Sequence, residues 1–387
     1  MSEIKEKVIG FFKEKYNQEP DDIFSCGGRF ELLGNHTDHN HGLCLAATCN
    51  LCITAAVRKR NDNIINFSSI GYAPFSINLD ELDVKEEEKE RSPSLARGIA
   101  FYLKEHGYNI GGFDAASYST IFMGAGVSSS AAFELLVAEI YNYYFNKDRI
   151  DRMTLCKAGQ FAENNYFGKK SGLLDQIGVG YGNIVSIDFE DITKPVVEQV
   201  KFPFDNLHFV IVNTGGSHAE LSDLYSSIPQ DMYNAAKKLG HNFLREGTKQ
   251  ELEEKINDMS VLEFKRALHF YQENERVRMA LDAIKDHDEA TFLECINESR
   301  ISSTNNLRNM MVDNVYEGSP LEACDLALSI MENKGAAKIN GGGFAGSIIC
   351  VVPNDYLETF IEKMSERYGK DNVREVFVRK MGPSVID

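Results

Sequence analysis

Three observations predict a mixed α+β fold in two domains. The chain has 387 residues, and a single hydrophobic core stops growing at about 250–300 residues. Segments with helical apolar spacing alternate with short β-branched runs in both halves. Several of the short runs read as hairpin partners, which favours mixed or antiparallel sheets covered by helices over a doubly wound parallel sheet. The boundary is expected near residue 190, around Asp188–Pro195, giving units 1–190 and 191–387.

The elements follow in order. Ile4, Val8, Phe11 and Phe12 give Met1–Tyr16 an amphipathic helical pattern. A Pro/Asp break leads into the glycine-rich segment Cys26–Gly42. Leu43–Val57 and Ile64–Ser69 read as strands bounded by polar turns. The charge run Asp80–Arg91 reads as a solvated loop or helix face. Ser94–His106 is helical by its Leu95, Ile99, Tyr102 and Leu103 spacing. Phe113–Met123 is strand-like and enters Gly124-Ala-Gly-Val-Ser-Ser-Ser-Ala131, after which a helix runs through Tyr144. Another helix spans Met153–Phe167 and ends at Gly168, and a glycine-punctuated stretch follows to Gly182. His208–Asn213 resembles a central strand, and helical patterns dominate from Asp231 to Glu332. A glycine loop ending at Gly346, a strand (Ser347–Val352), a helix (Asp355–Tyr368) and a strand near Val373–Arg379 close the chain.

Composition narrows the function classes. Hydrophobic residues make up 43% and charged residues 26%, as in ordinary globular proteins. With 58 acidic against 41 basic residues the net charge is −17, which argues against nucleic acid or an anionic membrane as the main partner. A small anionic ligand is still compatible with a locally positive site. No apolar run approaches a membrane span, and the charged opening segment lacks a signal peptide's apolar stretch. Eight scattered cysteines are expected as reduced thiols in the cytoplasm. Cys49 and Cys52 lie in a strand-like run without a second Cys or His pair nearby, so they read as strand residues and not as a redox or zinc motif.

Four segments carry chemistry. Gly124, Ala125, Gly126, Val127, Ser128, Ser129 and Ser130 join a strand to a helix. Small residues there let backbone approach a ligand closely, and free N–H groups at a helix start suit phosphate. The plain alternative is a serine-capped helix. Gly341-x-Gly343-x-x-Gly346 matches the dinucleotide fingerprint in letters, but a strand follows it where that fingerprint needs a helix. It reads as a turn, or as a loop packed near the first phosphate loop. Gly168-Lys-Lys-Ser171 has the wrong spacing for a P-loop. Gly28–Gly42 is dense in polar side chains between glycines, which suits a hydroxylated ligand; His36, Asp38, His39 and His41 offer a metal site as the alternative. Asp175, in Gly172-Leu-Leu-Asp-Gln, needs a partner or a task in its apolar surroundings.

Together these segments resemble the GHMP small-molecule kinases, and within them the galactokinases. Arg29 to Gly42 resembles the galactokinase signature G-R-x-x-x-x-G-E-H-T-D-Y-x-x-G, and Gly124–Ala131 resembles the phosphate loop G-x-G-L-S-S-S-A. Glu163 precedes Asp175 by twelve residues, as the family's Mg²⁺-binding Glu precedes its aspartate. Tyr225, seven residues after His218, matches a sugar-contacting Tyr, and Lys338–Gly346 resembles the third family motif. The resemblance implies a two-domain GHMP fold with its site in the inter-domain cleft. The implied reaction converts ATP and a sugar to ADP and a sugar 1-phosphate. By resemblance Asp175 would accept or orient the C1 hydroxyl proton, and Arg29 would stabilise the transferring phosphoryl group. The phosphate loop would bind ATP, and Ser130 with Glu163 would hold Mg²⁺. Asn35, His36, Thr37, Asp38, Gly172 and Tyr225 would meet the sugar. A cytoplasmic monomer acting on sugar and Mg-ATP is the expected working form.

The departures from the family are informative. Asn35 stands where the family carries a Glu that recognises the C6 hydroxyl, and His39 stands where it carries Tyr. Asn keeps hydrogen-bonding capacity but removes a negative charge, so a C6-modified galactose such as galacturonate is an alternative substrate. Lys338 and Asn340 replace the more usual Arg and Thr. Two further alternatives are a non-catalytic sugar sensor, against which the complete serine loop argues, and a metal hydrolase built on the His36–His41 cluster.

Overall fold

The structure is a computed structural model that describes residues 2–215 and 221–386. Its strands are β1 (Asp22–Leu33), β2 (Leu43–Lys59), β3 (Ile64–Ser69), β4 (Phe75–Asn78), β5 (Phe113–Ser119), β6 (Ile184–Asp188), β7 (Val196–Val200), β8 (Leu207–Asn213), β9 (Ala336–Asn340), β10 (Ser347–Pro353), β11 (Val373–Val376) and β12 (Ser384–Val385). Its helices are α1 (Ser2–Tyr16), α2 (Ser92–Glu105), α3 (Ser129–Asn146), α4 (Arg152–Ala162), α5 (Leu174–Gly180), α6 (Ser222–Leu239), α7 (Lys249–Glu254), α8 (Val261–Asp286), α9 (Glu289–Ser302), α10 (Pro320–Ile330) and α11 (Leu357–Tyr368).

The first sheet runs β12-β1-β2-β5-β3-β4, with β6 and β7 joined on through β2. Its pairs are antiparallel except β3 with β5. The 17-residue β2 is long enough to serve two neighbours. Leu43–Ala47 pairs with β6, and Ile53–Lys59 pairs with β5. Alternation sorts its side chains. Ala55 and Val57 join the core under α2–α5, whereas Ala56 meets Val8 and Phe12 of α1 on the other face.

The second sheet, β11-β8-β10-β9, is antiparallel throughout. Val210 and Val212 face α10 and α11, while Phe209 and Ile211 turn the other way. That second face packs against Phe30, Leu32, Leu45 and Ala47 of the first sheet and Val277 of α8. The two halves therefore share one core, and the cleft above it is lined from both.

Sequence and structure part company at several places. The expected break at residue 190 falls inside a hairpin, because β6 and β7 pair directly across it. The chain's end also returns to the first sheet, where β12 pairs with β1. The segment read as glycine-rich Cys26–Gly42 begins as strand β1, through Leu33, and continues as a turn with a short 3₁₀ segment, Asp38–Asn40. Gly27 hides the periodicity because a side chain there would overlap the Cys49 carbonyl. The helix expected over Met153–Phe167 changes at Glu163 into a π-helical turn, Glu163–Phe167. The charge run Asp80–Arg91 is not all solvated: Glu88 pairs at 2.6 Å with the buried Arg97.

Candidate active site

Arg29 and Asp175 form the middle of the cleft. A bulge between Gly27 and Arg29 re-aims β1, and the Arg29 amide bonds the Val127 carbonyl at 2.9 Å. Gly28 permits that approach, since a Cβ there would overlap Val127. The Arg29 guanidinium gives Nε and Nη2 to Asp175 Oδ1 at 2.9 and 2.7 Å, and Nη1 to the Gly126 carbonyl at 2.7 Å. Asp175 lies in the first turn of α5. Burial pushes its carboxyl up, but Arg29, Lys169 and a hydrogen bond from Ser128 outweigh it and hold the group below the usual carboxylate range.

The loop 124–130 is anchored and open at once. Ala125 and Val127 bury their side chains in the shared core, while Gly124, Gly126 and Ser129 stay exposed. Gly126 has φ +67, and a Cβ there would overlap Ser347 Oγ. Ser347 and Asn340 hold the loop from the other half, donating to the Ala125 carbonyl at 2.8 Å and the Gly126 carbonyl at 3.1 Å. Ser128 precedes α3 with φ 54 and makes no side-chain cap bond, unlike an ordinary capping serine. The first turn of α3 thus presents its backbone N–H groups to the cleft.

Below Arg29 lies a cavity of about 220 Å³, bordered by Glu31, Asn35, His36, Asp38, Ser171 and Gly172 among others. His36 Nε2 meets the Gly342 carbonyl at 2.8 Å, and Nδ1 meets His39 Nε2 at 3.2 Å. Burial and His39 lower its pKa to about 3, so the ring is neutral near pH 7. Asp38 pairs with His39 Nδ1 at 3.1 Å. Gly172 passes so close that a Cβ would overlap Asp38 Oδ2.

Beside the 124–130 loop, Ser130 Oγ donates to Glu163 Oε1 at 3.1 Å. Glu163 is 1% exposed and also takes bonds from Lys169 at 3.1 Å and Ser171 at 2.6 Å. A hydroxyl and a carboxylate beside the 124–130 loop are a donor set suited to Mg²⁺, which favours few protein oxygens plus phosphate and water. The Lys169 ammonium, 58% exposed, stands on the same carboxylate oxygen, so the position already attracts a cation.

Comparison with known proteins agrees with this geometry. Residues 10–59 match the galactokinase galactose-binding signature, and residues 94–183 match the GHMP kinase N-terminal domain. A galactokinase of Fusobacterium nucleatum is 32% identical over 94% of both chains. The chain belongs to the galactokinase family. A galactokinase of Ligilactobacillus salivarius is 30% identical, covering 98% of this chain and 95% of its own. The crystal structure of Lactococcus lactis galactokinase complexed with galactose superposes with a TM-score of 0.84 at 25% identity over 99% of each chain. Methanococcus jannaschii mevalonate kinase shares the fold (TM-score 0.64, 16% identity, 94% of this chain and 98% of that one).

For a galactokinase-family site, three expected sugar contacts sit differently. Thr37 is fully buried and gives its hydroxyl to the Gly34 and Leu43 carbonyls, so it closes a turn. Asn35 borders the cavity, but its amide is committed to Glu31, Gly341 and Asn309. Tyr225 lies behind the third glycine loop, its ring against Gly342 and its hydroxyl on the Gly343 carbonyl at 2.6 Å. His218 is outside the described residues. His41 stacks on Phe243 at 3.8 Å, away from His36, and the described residues hold no cluster of three metal-ligating side chains. Sequence reasoning missed Glu31, Lys169 and Ser171. Glu31 follows Arg29 by two residues on a strand and so shares its face. The other two sit in the stretch rejected as a P-loop.

Proposed function

We propose that this chain transfers the γ-phosphoryl group of ATP to the C1 hydroxyl of galactose, giving galactose 1-phosphate and ADP. The observation that carries the reading is the Arg29–Asp175 pair at 2.7 Å, set between a phosphate-binding loop and a polar, sugar-sized cavity. Asp175, kept ionised by Arg29, takes the C1 hydroxyl proton as the new O–P bond forms. The bond from the γ-phosphorus to its bridging oxygen breaks, and that electron pair leaves with ADP. Such a loose transition state depends on positioning and charge. Arg29 supplies positive charge beside the transferring group, and the first turn of α3 supplies N–H donors. Ser130 and Glu163 would hold Mg²⁺, which supplies charge neutralisation on the phosphates. Asp38, His36 and the Gly172 backbone would orient the sugar.

A carboxylate-bearing sugar and a non-catalytic sensor are both less favoured. The relatives are galactokinases, and Ser128, Ser129 and Ser130 are all present. All eight cysteines are free and buried, which suits a reducing cytoplasm; the working unit is taken as a monomer. No helix among the described residues is long and apolar enough to cross a membrane. ADP release with Mg-ATP should be fastest with galactose among galactose, glucose, galacturonate, galactosamine and arabinose. Equal rates across that panel, or no rate with galactose, would overturn the reading.

A further inference from the structure

The cavity keeps a carboxylate that the sequence reads as lost. Glu31 stands two residues beyond Arg29 on β1, about 6.6 Å further along the strand, and borders the same cavity. Its Oε1 accepts from Asn35 Nδ2 at 2.9 Å and from Lys338 Nζ at 3.2 Å. Its Oε2 accepts no hydrogen bond among the described residues, and the side chain is 4% exposed. That oxygen is open to the cavity, so a donor entering with the ligand can form a charge-assisted hydrogen bond to it.

Asn35 is not free to be the ligand. Its Nδ2 faces two acceptors, Glu31 Oε1 and the Gly341 carbonyl at 2.7 Å, and its Oδ1 faces the Asn309 amide at 2.9 Å. Those partners fix the amide's orientation. Lys338 is fully buried and also bonds the Ile339 carbonyl at 2.8 Å. The departures at positions 35 and 338 therefore converge on one carboxylate.

We propose that Glu31 is the specificity-determining carboxylate for the C6 hydroxyl of the sugar, with Asn35 and Lys338 as its positioning residues. The proposal rests on the galactose reading above. Asp175 marks the C1 end of the cavity, so a group further along β1 meets the far side of the sugar ring. The hydroxymethyl arm at C6 rotates and can reach a recessed oxygen. The charge on Glu31 also repels a C6 carboxylate, which removes the reason for expecting galacturonate to be accepted.

The test compares kcat/KM for galactose, 4-deoxygalactose and 6-deoxygalactose in wild type, Glu31→Gln and Glu31→Gln/Asn35→Glu. A charge-assisted hydrogen bond gives wild type a preference of about tenfold to hundredfold for galactose over 6-deoxygalactose. Glu31→Gln should shrink that preference to about threefold or less, chiefly through a higher KM for galactose. The double variant, which returns the carboxylate to position 35, should recover most of it. Because Glu31→Gln leaves Lys338 buried without its anion, Glu31→Gln/Lys338→Met serves if that variant does not fold, and the same loss of preference is expected. An unchanged 6-deoxy preference in either charge-removed variant overturns the proposal. So does a Glu31-dependent preference that falls on 4-deoxygalactose instead. No turnover of galactose by wild type would overturn the underlying function itself.

Discussion

Arg29 ties two parts of the cleft together, holding Asp175 by Nε and Nη2 and the Gly126 carbonyl of the 124–130 loop by Nη1. Replacing Asp175 by Asn keeps the shape, removes the proposed proton acceptor and leaves Arg29 without its anion. The Asp175→Asn variant should lose about 10²–10⁴-fold in kcat, with the sugar KM within a few-fold of wild type in steady-state assays. Retention of wild-type kcat would contradict the role given to Asp175. The sequence singled out both residues, and the structure brings them together at 2.7 Å. Asn35 and Thr37 sit in the same motif as Arg29, and their side chains are engaged within the protein. Asn35 is bonded by Asn309 and Gly341, far along the chain, and Thr37 by the backbone carbonyls of Gly34 and Leu43, which residue types alone do not announce.

Among the elements, the loop 124–130 depends most on backbone geometry. Gly126 combines φ +67 with contact against Ser347. An L-residue there meets both a disfavoured conformation and an overlap. Gly126→Ala should raise the KM for ATP by about tenfold or more and leave the KM for galactose nearly unchanged; equal effects on both would contradict a loop dedicated to phosphate. The strand–loop–helix order of this segment was readable from its pattern. The π-helical turn at Glu163 was not, because the helical periodicity continues through Phe167 and only packing against Ser130, Ser171 and Gln176 marks the change. Strand β1 was obscured by Gly27 and Gly28, which are there to let β2 and the phosphate loop approach.

Across the whole molecule, the shared core ties the halves together, and a site built at their junction inherits its acid sensitivity. Burial lowers the His36 pKa to about 3 and the His269 pKa to about 4. His269 bridges the Asn35 carbonyl and Ser302 Oγ. Glu273, held at about 2 against the effect of burial by Arg276, His269 and Lys338, bonds the Gly34 amide at 3.0 Å. In each case the unfolded state binds more protons as the pH falls, so acid destabilises the fold. Each histidine contributes a slope of about 1.4 kcal/mol per pH unit, beginning near pH 6.5 and ending near pH 4 for His269 and near pH 3 for His36. Glu273 adds to the loss below about pH 4.5. Urea unfolding from pH 7 to pH 4.5 should show this fall, and His269→Gln should remove about one proton's worth of slope. An unchanged slope would contradict a neutral, buried His269. Length and alternation predicted two mixed units. They could not reveal that β7 and β12 cross the expected boundary, since strand pairing is set by contacts distant in sequence.

The most direct test of the account is the position of the phosphate on the sugar. With galactose and Mg-ATP, ¹H and ³¹P NMR of the product should show phosphorus coupled to the anomeric proton, and Asp175→Asn should form little of that product in the same time. Phosphate on any other carbon, or ADP formed without a sugar phosphate, would contradict it.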